Sequence, residues 1–85
     1  MKSFQYMITD EAGIHARPAG ILVKEARKFK SRMTIINGEK KADLTRLMAL
    51  MGLGVRTGAV VKIEIDGEDE DAAAAYMERF FKENM

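Results

Sequence analysis

Gly13-Ile14-His15-Ala16-Arg17-Pro18-Ala19 holds the only histidine and the only proline of the chain, three residues apart, with an arginine between them. An imidazole and a guanidinium that close together can bind an anion, or can accept and pass on a phosphoryl group. The backbone around them decides what they can do. Proline fixes φ near the helical value and has no amide hydrogen, so it is tolerated in the first helical turn and not much deeper. Beyond it, Ala19, Leu22, Val23, Ala26 and Phe29 form an apolar stripe of helical period. The spacing predicts a helix from Ala16 to about Phe29, with His15 at its N-cap and Gly13 turning the chain.

First-turn amides, here those of Ala16 and Arg17, have no intrahelical partners and point back toward the N-cap. With the positive end of the helix dipole they make an anion site. Arg17 adds a fork suited to phosphate oxygens. The same helix end disfavours an imidazolium, so His15 is expected to keep a free lone pair. A nucleophilic nitrogen beside a dianion cradle suits phosphoryl relay. A single histidine is more often a surface or capping residue, however, and local physics leaves both readings open. No second histidine, cysteine or Ser/His/Asp set is available, so hydrolysis and multi-ligand metal binding have little to work with. No metal and no cofactor is expected.

The elements that must position this stretch can be read along residues 1–85, which make one small domain able to bury about 60% of its unfolded surface. Ser3 to Thr9 sets Phe4, Tyr6 and Ile8 against Gln5 and Thr9, a half-buried strand, and residues 10–13 are the loop that delivers His15. Arg32 to Asn37 is a second strand with Met33 and Ile35 on one face. Asn37-Gly38 signals a hairpin into a short third strand, Lys40 to Asp43. Leu44 to Leu53 is apolar nearly all round a short helix, which Gly52 and Gly54 close, and only part of that girth can face a core. Ala59 to Asp66 alternates as a fourth strand. Acidic residues from Glu68 to Asp71 favour a last helix there, with Ala72, Ala73, Tyr76, Met77, Phe80 and Phe81 as a broad apolar face. The order suggests an α+β fold: an open-faced sandwich with three helices on one face of a four-stranded antiparallel sheet.

Composition narrows the function classes. A net charge of +1 gives no reason to expect nucleic acid or a membrane surface as partner. Zero cysteines exclude a disulfide framework and suit a reducing cytoplasm. Met1-Lys2 opens straight into strand-like sequence, and no apolar run approaches the ~20 residues of a membrane span. A cytoplasmic, non-inserted monomer is expected.

The Gly13–Ala19 stretch resembles the phosphorylation-site motif of HPr, the histidine-containing phosphocarrier family of the bacterial phosphotransferase system. The likeness continues through Leu47-Met48-Ala49-Leu50-Met51-Gly52-Leu53-Gly54, similar to the family's second helix, and Gly67 to Ala72, similar to the start of its last one. The resemblance implies the same sandwich. It implies a carrier phosphorylated on His15 by enzyme I that delivers the group to enzyme II A domains for sugar uptake. It also implies that the second helix lies beside the histidine as a docking patch. Met48 and Met51, three apart, share a face with Leu47 beside them, and methionine adapts to several partners. Gly20, Lys24 and Arg27 project from the first helix toward one side by spacing. The resemblance implies that the two basic residues meet acidic surfaces on enzyme I, although a solvated charged face would read the same for Lys24.

Two departures carry information. Some relatives have a regulatory serine at the start of the second helix, and Arg46 stands in its place, preceded by Thr45. Thr45 is a possible substitute target, but a threonine there is more often an N-cap. Ala12 removes a hydroxyl that many members place near the histidine, which leaves the cradle on backbone amides and Arg17. Two other readings stay open: a regulatory binding module using the same surface, and a nitrogen-branch phosphorelay carrier. Regulatory relatives often lose the histidine, which this chain keeps, whereas nothing in the residues separates the nitrogen branch from the sugar branch.

Overall fold

The alternating segments pair into one antiparallel sheet, and the computed structural model describes residues 1–14 and 16–85 around it. The chain runs β1 (Lys2–Met7), α1 (Ala16–Ala26), β2 (Arg32–Asn37), β3 (Lys40–Asp43), α2 (Leu47–Met51), β4 (Val60–Asp66) and α3 (Glu70–Asn84). Strand order is β1-β4-β2-β3, so β4 is inserted between the strand that precedes α1 and the strand that follows it. Register aligns Phe4, Ile63, Ile35 and Ala42 in one row across all four strands. That row and its neighbours Met33, Val61 and Ile65 face the three helices and form a single core with them.

Each helix enters the core with part of its apolar stripe. α1 buries Ala19, Leu22, Val23 and Ala26, the small residues letting it come close, and it packs against α2. α3 lies over β1 and β4 and buries Ala73, Met77 and Phe81. The Phe81 ring meets Phe4 and Tyr6 edge to face at 5.7 and 5.8 Å, pairs worth about 0.5–1.5 kcal/mol each beyond the area they bury. Its apolar face is narrower than its composition suggests, since Ala72 and Tyr76 are exposed.

Several boundaries depart from sequence expectation for identifiable reasons. β1 ends at Met7, although Ile8 still trades backbone bonds with Gly58 and Ala59. α1 stops at Ala26 because Lys28 and Phe29 donate to carbonyls three residues back, which tightens the chain and turns the Phe29 ring onto Tyr76. The hairpin loop is Gly38-Glu39, one residue later than Asn37-Gly38. Only its glycine has positive φ, which fits a type II′ turn and excludes type I′. α2 begins three residues later than expected. The Asp43 carboxylate accepts the Thr45 amide at 2.8 Å and the Thr45 hydroxyl at 2.6 Å, and this local turn competes with the helix. These bonds, the hydroxyl's foremost, hold the Asp43 carboxyl below its usual range. Arg46, not Thr45, occupies the N-cap.

Two fastenings matter for what the scaffold presents. Asp69 stands at the N-cap of α3 but caps nothing in that helix. Its carboxylate accepts the amides of Lys30 and Ser31 at 2.8 and 2.9 Å and the Ser31 hydroxyl, and so ties α3 to the connection between α1 and β2. The second fastening is the loop before α1. Thr9 and Asp10 donate their amides to the Met85 backbone oxygen at 2.7 and 2.9 Å. The Asp10 carbonyl accepts the Gly13 amide and the Thr57 hydroxyl, and Ile14 donates to the Val55 carbonyl at 3.1 Å. Gly13 adopts φ +69°, and a Cβ there would lie 2.7 Å from Arg56 Cα and closer still to the Val55 carbonyl oxygen.

Two expectations follow. Hydrogen bonds, the Ser31 hydroxyl's first, lower the Asp69 pKa, so the unfolded chain binds this proton more readily than the folded one. Asp69 therefore adds stability that is fully present above the usual carboxylate pKa of about 3.9 and is lost as pH falls through the lower folded value. In urea titrations, wild type should exceed Asp69→Asn at pH 7, and the gap should close as pH falls through the lowered folded-state pKa of Asp69. A gap unchanged by acid would sink this account. Gly13→Ala should lose about 2 kcal/mol or more by the same method. The left-handed backbone alone costs about 1–2 kcal/mol for a residue with a Cβ, and the Val55–Arg56 backbone must also move. A loss below about 0.5 kcal/mol, within the range of ordinary surface substitutions, would show that the close approach is not tight.

Candidate functional site

The site is built where the anchored loop feeds α1. His15 lies outside the described residues. Its sequence neighbours are fixed: Ile14 is buried and bonded to Val55, and Ala16 opens α1. The opening turn, Ala16-Arg17-Pro18-Ala19, carries no acidic side chain to neutralise the helix end. Ala16 and Arg17 are exposed, and Pro18 lies within the first turn, where its missing amide costs no hydrogen bond. An anion at this end would meet the free amides of Ala16 and Arg17 and, within reach, the Arg17 guanidinium.

Arg17 also edges a shallow groove between α1 and the end of α3, together with Asp10, Pro18, Ile21, Phe80 and Asn84. Sequence reading missed this groove. Ile21 follows Arg17 by four residues and so lies on the same helix face, a spacing that could have signalled it. Its 47% exposure leaves an apolar side chain in solvent beside the cation. The Asp10 carboxylate accepts the Ala12 amide at 2.9 Å, an Asx turn that an aspartate shortly before a glycine can announce.

A second groove gathers Gly20, Val23, Lys24, Arg27 and Leu47, so residues from α1 and α2 singled out by spacing come together in space. Met48 and Met51 do not line it. They stand on the outer side of the same short helix, Met48 80% exposed and Met51 37%. α2 divides its apolar girth sharply. Leu50 is buried within the helix and Leu44 and Leu53 are buried at its flanks, while Leu47, Met48 and Met51 remain in solvent. An unburied apolar face on five residues is costly unless something else covers it.

Arg27 is not a loose surface cation. Its Nε and Nη2 both donate to the Thr45 carbonyl, at 3.1 and 2.8 Å, linking the end of α1 to the entry of α2. Among the described residues, no three His, Cys, Asp or Glu side chains gather as metal ligands, and no helix is long and apolar enough to cross a membrane.

Comparison with known proteins agrees with this geometry. A family model described as the PTS HPr component phosphorylation site matches residues 2–83. The phosphocarrier protein HPr of Mycoplasma capricolum is 47% identical over 73 residues, which cover 86% of this chain and 82% of that protein. A solved mycoplasma histidine-containing phosphocarrier protein superposes with a TM-score of 0.93 at 40% identity, covering 96% of this chain and 93% of its own. A solved HPr dimer from Thermoanaerobacter tengcongensis gives 0.77 at 35% identity, covering 98% and 95%. With four strands and three helices in the same arrangement and the phosphorylation-site stretch intact, the chain belongs to the HPr family of phosphocarrier proteins of the phosphotransferase system.

Proposed function

We propose that this protein accepts a phosphoryl group on His15 from enzyme I, which draws it from phosphoenolpyruvate, and passes it to enzyme II A domains for sugar uptake. It is a covalent relay and turns over no small substrate. A neutral imidazole nitrogen attacks phosphorus as the bond to the donor breaks, and the reverse exchange hands the group on. The transferring group spreads negative charge over its three equatorial oxygens, so positioning and charge stabilisation do most of the work. The Ala16 and Arg17 amides and the Arg17 guanidinium supply that stabilisation, and Ala12 adds no hydroxyl to it.

The observation that carries this reading is that α1 opens at Ala16, the residue after His15, with no acid in its first turn and Arg17 exposed. Retention of His15 favours a carrier over a purely regulatory module. Gly20, Lys24, Leu47, Met48 and Met51 are the proposed docking surface for enzyme I and the enzyme II A domains, the exposed methionines covered when a partner binds. Arg46 stands where some relatives place a regulatory serine, so that serine-kinase branch is absent here. The Thr45 hydroxyl already donates to Asp43, which argues against its use as a substitute. A dimer has been solved for the Thermoanaerobacter relative; in this chain the monomer is the proposed carrier, working in the cytoplasm.

Incubation with enzyme I and phosphoenolpyruvate should add one acid-labile phosphate, and His15→Ala should add none. Equal incorporation by the variant would refute the relay. Arg17→Ala, with an exposed side chain that packs little, should stay folded by circular dichroism while transfer slows by about one to three powers of ten. An unchanged rate in the folded variant would remove Arg17 from the site.

A further inference from the structure

α2 has five residues, far short of the length at which a helix holds itself together, so its direction must come from tertiary contacts. Leu50 is its one buried side chain. A single anchor of that kind lets a short helix swivel. Its entry, by contrast, is gripped from two sides. The Asp43 carboxylate holds the Thr45 amide and hydroxyl, and the Arg27 guanidinium holds the Thr45 carbonyl with two donors from the end of α1. The Arg46 amide adds a bond to the Asp43 carbonyl at 3.1 Å.

We propose that Arg27 is a positioning residue, not a docking cation: by clasping the Thr45 carbonyl it sets the spacing of α1 and α2 across the Gly20–Lys24–Leu47 groove, and so fixes the face that Leu47, Met48 and Met51 offer to enzyme I. The proposal rests on the docking reading given above. Its chemistry is specific to arginine. The planar guanidinium brings Nε and Nη2 to one oxygen together, whereas a lysine ammonium carries the same charge on a flexible stem with no such fork. Lys24, on the same groove and with no such tether among the described residues, serves as the contrasting cation.

The test compares Arg27→Lys, Arg27→Gln and Lys24→Gln. Urea unfolding first establishes that each is folded. Enzyme I phosphorylation kinetics are then measured at low and high salt, with amide hydrogen exchange at Leu50, which donates to the Arg46 carbonyl. A positioning role predicts that both Arg27 variants raise KM by about three- to tenfold, the scale of losing up to ~1.4 kcal/mol of preorganisation. That rise should be alike at low and high salt, with kcat unchanged and Leu50 exchange accelerated. Lys24→Gln should raise KM only at low salt, because screening removes an exposed charge's contribution, and should leave exchange unchanged. If Arg27→Lys matches wild type while Arg27→Gln shows a salt-sensitive KM defect, Arg27 is a docking cation and the proposal falls. Unaltered Leu50 exchange in both Arg27 variants overturns it as well. Should wild type itself take no phosphate from enzyme I, the relay reading fails, and the exchange data alone still decide whether Arg27 positions α2.

Discussion

The close approach of Gly13 to the Val55–Arg56 backbone is the constraint on which the site depends. A left-handed backbone and the absence of a Cβ bring two connecting segments nearer than any other residue would allow. That contact aligns Ile14 with the Val55 carbonyl and so sets where α1 begins. The rest of the loop is fastened in support: Thr9 and Asp10 to the end of α3, and the Asp10 carbonyl to Gly13 and Thr57. Loops are ordinarily the mobile part of a small domain. Here the segment is bonded both to the end of α3 and to the connection between α2 and β4, and a first-turn anion site of the kind proposed benefits because its donors are held before the anion arrives.

The sheet supplies a rigid base for this arrangement, and the helices divide the labour. α3 is the core helix, its Phe81 wedged against two aromatic rings of β1. α1 couples the core to the site, burying alanine and leucine on one side and presenting Ala16 and Arg17 at its tip. α2 contributes little to the core and much to the surface. Its shortness is what permits this, since a longer helix with the same composition would have to bury more of its apolar girth. The Asp43–Thr45–Arg27 bonds compensate for that shortness from outside the helix.

The architecture was legible in the sequence because strand alternation and helical period are local signals that burial reinforces. Phe4, Met33, Ile35, Val61, Ile63 and Ile65 point inward as their spacing requires, and Pro18 with its apolar stripe located the start of α1 to the residue. Element ends were less legible. α1 ended early and α2 began late because Phe29 found Tyr76, and Asp43 found Thr45, pairings that compete with helical bonds at little cost.

By itself the sequence set out the candidate chemistry: a histidine just before a helix with proline in its first turn, an arginine in that same turn, and no cysteine or second histidine beside them. It determined the helix register that places Lys24 and Gly20 on one side of α1. Only the tertiary structure decided which apolar residues of the 44–53 segment stay in solvent. Composition offers six candidates around a short helix, and the choice falls to whichever side the sheet and α1 happen to cover. It alone decided that Asp69 clamps Lys30 and Ser31, 39 and 38 residues away, instead of capping its own helix. It alone turned Arg27 from a surface charge into a tether. Such bonds join residues far apart along the chain, and no periodicity records them, because their partners meet only once the sheet has brought the helix ends together.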